Sequence, residues 1–380
     1  MEDSGDSLDD PRSKVSRGEV GESIEGHQVD VGIPTHGRPR YLRESVESVL
    51  AQSLQSWRLT ISENGPGSDE IRALIKPYLS DPRVRHITVG TDVSGSQNAT
   101  RSISQGTAPF VAVLHDDDKW DSGFLEQRAT FLAQNPTCGF VFSNFRFIDA
   151  RGRTSSHFDA SRREGVQPRN EFLRSLYRRN FIGVPTVLSR RSAFQAVGST
   201  YSDSVLLDDY LMWLRLASRF DVGFLDVDDA AYRIHSGQKT ELEFARMGVH
   251  RLDLLKAVDA YMPTEFPEVE RRRARASAHL RGSLEAVEQG ELKDAAREFR
   301  NALAEHPGAP FDLVVLKMIA GAVRHRARQR SLWHAGERTR RTTLPGAEPT
   351  HDASQSPVRS HSRVRMVGAE QTDSSETGDS

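Results

Sequence analysis

Three adjacent carboxylates, Asp116, Asp117 and Asp118, follow His115 at the end of a short apolar run, PFVAVL (109–114). Like charges this close repel one another unless protons or a cation neutralise them. Hard oxygen ligands suit Mg2+ or Mn2+, ions that bridge a protein carboxylate to diphosphate oxygens. A solvated acidic turn is the plain alternative; the apolar strand before the cluster and Trp120 after it favour a site. A second acidic pair, Asp208-Asp209, opens the run YLMWLRLA. Carboxylates at a helix start are often just dipole partners, but one fixed near a leaving group can also act as general base toward a hydroxyl. A third segment, Tyr232-Arg233-Ile234-His235, offers a guanidinium suited to phosphate oxygens and an imidazole suited to a metal, although a lone His is more often structural.

The elements that must position these groups read as an α/β sheet with mostly parallel strands between Val29 and about His235. Val29, Val31 and Ile33 alternate as a first strand, and Tyr41, Leu42, Ser45, Val46, Val49 and Leu50 share one helical face. Leu59 and Ile61 mark a second strand, ended by the turn residues Asn64-Gly65-Pro66-Gly67. Val84–Val89 is a third strand, and 109–114, apolar throughout, suits a strand covered on both faces at the sheet centre. Its carboxyl end is where ligands of open α/β sheets bind.

The flanks differ from this middle. Residues 1–28 hold eight acidic and three basic residues and almost no large apolar ones, the composition of a disordered acidic arm. The tail 338–380 reads as disordered on the same grounds. Between them, residues 241–337 form a helical extension, with a hairpin over 268–303 broken at Gly290 and expected to pack on the main domain. The apolar and then Arg-rich stretch 311–330 has the composition of a segment lying on an anionic membrane surface, and reads equally well as a docked C-terminal helix with a solvated end. Across 380 residues, 51 Lys+Arg face 53 Asp+Glu, which argues against a dedicated nucleic-acid binder. Cys138, the single cysteine, excludes an intrachain disulfide and a CxxC redox pair. No apolar run reaches the roughly 20 residues that span a bilayer, so the expected location is cytoplasmic, with membrane contact at most peripheral, at its inner face.

Taken in order, VDVGIPTHGRPRYLRESVESVLAQSLQSWRLTISENGPGSDE, NATRSISQGTAPFVAVLHDDDKW, DDYLMWLRLA and AYRIHSG resemble the inverting family-2 glycosyltransferases. The resemblance covers about residues 29–240 and implies a GT-A type fold: a mostly parallel central sheet flanked by helices, here with a helical C-terminal extension. It implies a nucleoside-diphosphate sugar donor, a hydroxyl acceptor on a glycan or glycolipid, and Mn2+ or Mg2+ as cofactor. By the same resemblance Pro34, Thr35, Gly37, Arg38, Glu63, Asn64, Asn98, Asp116 and Arg233 line the nucleotide-sugar site. Asp116, Asp117, Asp118 and His235 surround the metal, and Asp208 or Asp209 is the base. The segment Asn180–Pro185 falls where the family shapes its acceptor side. Three departures stand out: Glu63-Asn64 where an Asp pair is usual, Gln97-Asn98 where Arg-Asn is usual, and His115 where a leading Asp is frequent.

Rival readings are weaker on the residues. The first strand runs into Gly32-Ile33-Pro34-Thr35-His36-Gly37, so the glycine pattern of a dinucleotide oxidoreductase is missing, as is that of a P-loop NTPase. A non-catalytic nucleotide-sugar-binding or scaffold protein, and a nucleotidyltransferase on a related sheet, remain as alternatives.

Overall fold

The computed structural model describes residues 28–308 except Arg38, Pro66, Val89, Thr91, 199–206 and 236–246. The expected acidic arm, the 311–330 segment, the 338–380 tail and Arg38 therefore lie outside the described residues. The strands are β1 (Val29–Thr35), β2 (Trp57–Glu63), β3 (Val84–Thr88), β4 (Phe110–Val113), β5 (Lys119–Trp120), β6 (Cys138–Ser143), β7 (Phe145–Ile148), β8 (Thr154–Phe158), β9 (Gly165–Val166), β10 (Leu188–Arg190), β11 (Asp221–Leu225) and β12 (Ala230–Arg233). Among them run α1 (Pro39–Leu50), α2 (Asp69–Ile75), α3 (Gly95–Ser104), α4 (Phe124–Gln134), α5 (Arg169–Arg178), α6 (Arg191–Ala196) and α7 (Asp208–Arg219). After them come α8 (Met247–Asp259), α9 (Glu268–Gln289) and α10 (Leu292–Glu305).

The main sheet has the order β3-β2-β1-β4-β10-β6-β11-β9. Its first four strands are parallel, as the alternation of short strands and helices predicts. β10 enters antiparallel between β4 and β6, and β9 closes the far edge antiparallel. The chain turns in both directions away from β1, with β2 on one side and β4 on the other, which opens a crevice at their carboxyl ends. Pairing in register sets Thr35 beside Glu63 at that end. All four residues of β4 are buried, as its uninterrupted apolar run requires.

α3 crosses β1 at close range because residue 32 is glycine. A Cβ there would overlap the side chains of Ser102 and Ile103. The helix starts with a capping box, in which Ser94 Oγ accepts from Gln97 N (3.0 Å) and Gln97 Oε1 accepts from Ser94 N (3.3 Å). Gln97, one of the departures noted above, thus fixes the end of α3 that faces the crevice. α7 is enclosed along its length, with Tyr210, Leu211, Met212, Trp213, Leu214 and Leu216 all buried. Its first turn is therefore rigidly placed.

A second sheet, β5-β12-β7-β8, runs beside the crevice. β12 pairs antiparallel with β5 and parallel with β7, which carries the Arg233 segment back to residues that follow the Asp cluster. The helical hairpin appears where its periodicity predicts it, ended at Gly290 in the left-handed region (φ 80°). It packs against α5, where Arg178 Nε and Nη2 each donate to Glu270 at 2.7 Å, and α8 is tied to α5 by Tyr177 OH, which donates to Asp259 at 2.7 Å.

Candidate active site

Position begins with β1 and β4. Thr35, the last residue of β1, donates its hydroxyl to Asp116 Oδ2 at 2.7 Å. From β4 the chain turns tightly, with Asp118 N donating to His115 O at 3.1 Å, so the three carboxylates gather instead of running away from the sheet. From α1, Ser45 Oγ holds Asp118 O at 2.6 Å. Asp116, Asp117 and Asp118 are all buried, with 0%, 6% and 1% of their surface exposed, so the solvated acidic turn is excluded.

The Arg233 segment closes the cluster from behind. Arg233 N donates to Asp118 Oδ1 (2.9 Å), and Arg233 Nε donates to Asp117 O (2.7 Å). The guanidinium is fully buried, held further by Asp149 O (3.2 Å) and Glu44 Oε2 (2.8 Å), and it stacks over the Tyr41 ring. This corrects the sequence-based expectation that Arg233 faces a phosphate. Its donors are turned to carbonyls and to a carboxylate of α1, so it positions the Asp cluster. His235 Nε2 lies 3.1 Å from Asp117 Oδ2, with its ring against Tyr41.

Within the cluster, one set of donors comes within reach of a single ion: His115, Asp117 and Asp118, whose ligand atoms lie within 4.8 Å of one another. Asp118 Oδ2 is buried and accepts no hydrogen bond. Burial, and then the charge of Asp117, push the Asp118 carboxyl well above the ordinary carboxylate range, against the lowering pull of Arg233. A buried carboxylate oxygen without a donor, beside a second carboxylate and an imidazole, fits a hard or borderline divalent cation.

The second acidic pair joins the same cleft. Asp208 Oδ2 accepts from Ser96 Oγ at 2.5 Å, a bond between the starts of α3 and α7. Burial raises the Asp208 carboxyl above its ordinary value, against the lowering pull of the Ser96 hydrogen bond. Burial and the neighbouring Asp208 charge push Asp209 up to about 7. Nothing in the sequence marks Ser96 or Glu44 as partners of these carboxylates; only the fold brings them there.

The nucleotide-side residues form a third group around the ends of β1 and β2. Glu63 is buried, accepting from Ser68 N (2.6 Å) and contacting His86 Nε2 (3.0 Å). Asn64 exchanges both amide bonds with the backbone of Val93, at 2.7 and 2.9 Å. Pro34 is partly exposed on β1, and Gly37 takes a left-handed conformation (φ 66°) just beyond it. Asn98 is buried beneath this floor, its amide bonded to Thr35 O, Ser62 O, Ser62 Oγ and Arg101. It knits β1, β2 and α3 together and does not face the crevice. The Asn180–Pro185 segment is tied to the cluster's far side by Trp120 Nε1, which donates to Pro185 O at 2.6 Å.

Residues 30–198 match the profile of glycosyl transferase family 2. A glycosyltransferase of Rickettsia felis with no further description is 23% identical over 245 residues, covering 63% of this chain and 39% of that protein. The chain thus spans about two-fifths of the length of its rickettsial relatives. The Escherichia coli UDP-Glc:alpha-D-GlcNAc-diphosphoundecaprenol beta-1,3-glucosyltransferase WfgD is 23% identical over 51% of this chain and 71% of its own. The putative teichuronic acid biosynthesis glycosyltransferase TuaG of Bacillus subtilis is 26% identical over 34% of this chain and 51% of its own. Among solved structures, the mannosyltransferase PcManGT of Pyrobaculum calidifontis, in complex with GDP-Man and Mn2+, superposes with a TM-score of 0.53 at 14% identity. That superposition covers 82% of this chain and 84% of PcManGT. The likeness shows the shared GT-A fold.

Proposed function

Residues 30–198 are a glycosyl transferase family 2 domain, and from that premise we propose that the protein transfers a sugar from a nucleoside-diphosphate sugar to an acceptor hydroxyl with inversion at the anomeric carbon. One observation carries the reading. The Asp116–Asp118 cluster and the Asp208-Asp209 pair, far apart in the sequence, are tied to the same end of α3: Asp208 accepts from Ser96 Oγ, and, two residues on, Asn98 donates to Thr35 O, whose hydroxyl donates to Asp116. This proximity supports a leaving-group site and a base working on one substrate.

Pro34, Thr35, Gly37, Glu63 and Asn64 supply the nucleotide end, where the crevice opens beside β1. When bound, a divalent cation, Mn2+ or Mg2+, supplies neutralisation of the charge that develops on the diphosphate. Asp117 and Asp118 would hold it; Arg233 N fixes the Asp118 carboxylate, Arg233 Nε the Asp117 backbone, and Thr35 the adjoining Asp116 carboxylate. On the opposite face of the sugar, the Asp208/Asp209 pair takes the proton of the attacking hydroxyl. Rigid placement at the start of α7 gives that carboxylate its orientation. We assign the catalytic unit to 29–240 and a helical extension to 241–337. The names of WfgD and TuaG support an acceptor in a cell-surface glycan or glycolipid. Among the described residues no helix is long and apolar enough to cross a membrane.

A thermal-shift panel of nucleoside diphosphates and their sugars, with and without Mn2+, tests this reading. A ligand at 100 times its Kd stabilises by about 2.7 kcal/mol. The expected outcome is a Tm rise that needs both nucleotide and ion. A panel in which no nucleotide shifts Tm in either condition would return the chain to the scaffold reading.

A further inference from the structure

His115 stands where a carboxylate is frequent in the sequences this chain resembles, and the structure gives it a place that a surface imidazole does not need. Its Nδ1 is 3.9 Å from Asp118 Oδ2, the buried oxygen that accepts no hydrogen bond. The distance is too long for a hydrogen bond and right for two donors facing one ion. Two ligands at about 2.1 Å from an ion lie at most about 4.2 Å apart. The His115, Asp117 and Asp118 donor atoms, within 4.8 Å of one another, need only a small contraction to meet that limit. The His115 side chain is 40% exposed and free to supply it, whereas Asp118 is locked by Arg233 and Ser45.

Resting on the metal-assisted reading above, we infer that His115 Nδ1 is a direct ligand of the divalent cation beside Asp117 and Asp118, and that it biases the site toward Mn2+ over Mg2+. Imidazole nitrogen is a poor ligand for Mg2+, which prefers oxygen, and a better one for the softer first-row ions. His235 has a different part. It contacts Asp117 Oδ2 at 3.1 Å and packs on Tyr41, so it orients a ligand from outside.

The test uses the full chain and Mn2+ alone, read by electron spin-echo modulation from a coordinated nitrogen and by the Mn2+ and Mg2+ affinities. Wild type and His235→Gln should show the nitrogen modulation; His115→Ala and His115→Asp should lose it. His115→Asp should also lower the preference for Mn2+ over Mg2+ by about tenfold or more. Circular dichroism checks that each variant is folded. Nitrogen modulation that survives in His115→Ala, or that vanishes in His235→Gln, overturns the assignment while leaving the metal-assisted reading in place. Absence of any saturable Mn2+ binding by the wild type overturns both.

Discussion

Arg128 and Asp118 are both charged side chains withdrawn from water, and the fold treats them in opposite ways. Arg128 has no exposed surface and every nitrogen occupied: Nη1 and Nη2 fork onto Asp229 at 2.9 and 2.8 Å, and Nε donates to Thr186 O at 3.0 Å. Nη2 also donates to Ser143 Oγ, and Nη1 to Phe124 O. Asp118 is as deeply buried but stands among like charges, with one oxygen bonded to Arg233 N and the other to nothing. In a satisfied buried ion pair each charge answers the other, and removing one strands its partner. An unsatisfied one is a standing cost that a ligand relieves, which is the mark of a site.

The sharpest way to break this comparison is in the acidic pair at α7. Asp208→Asn and Asp209→Asn should both keep metal-dependent donor binding, and one of them should lose transfer by about 10²–10⁴-fold, the size of a general-base contribution. Wild-type turnover from both would remove the base from the mechanism. Next in size, Arg128→Ala should destabilise the protein by about 3–5 kcal/mol in a denaturant titration, because it strands Asp229 without its partner. A loss below 1 kcal/mol would mean that Arg128 is no more structural than Asp118.

Asp118→Asn should act in the other direction. It removes a group that must either ionise against burial or take up a proton on folding, so the ion-free protein should melt at a higher temperature at neutral pH, and the additional rise expected from Mn2+ with a nucleoside diphosphate should disappear. A lower Tm for the ion-free variant would show that Asp118 stabilises the fold instead. The smallest effect is on pH dependence. With Asp209 at about 7 in the folded chain and about 3.9 in the unfolded one, the folded state keeps a proton that the unfolded state has released between those values. Stability from this group is complete below about pH 4 and is lost as pH rises through about 7. Asp209→Asn should flatten that fall in Tm, and an unchanged slope would place the titration elsewhere.

Much of the site's frame was legible in sequence because it rests on local pattern. β1, α1 and β4 follow from alternation, helical spacing and a continuous apolar run, and the acidic clusters stand at element ends where the chain itself puts them. What was not legible depends on pairing across long separations. β10 has three residues, and β5 and its partner β12 have two and four, too short to carry a periodic signal. Arg233 reads as a phosphate ligand until Glu44 and Asp149 O are seen to hold it inward. In the hairpin, Leu292 and Phe299 fall at apolar helical spacing but are 68% and 42% exposed. The helices meet instead on Leu280 and the small residues Ala276 and Ala302.

The Arg233–Glu44 bond joins residues 189 apart in sequence. During synthesis, at about 5–20 residues per second, the acidic cluster therefore leaves the ribosome well before the strand that seals it. Until β12 emerges, Asp118 lacks the Arg233 N–H that holds its carboxylate and the segment that covers it. On the metal-assisted proposal, a nascent chain halted short of residue 233 should capture a cation less well than the finished one.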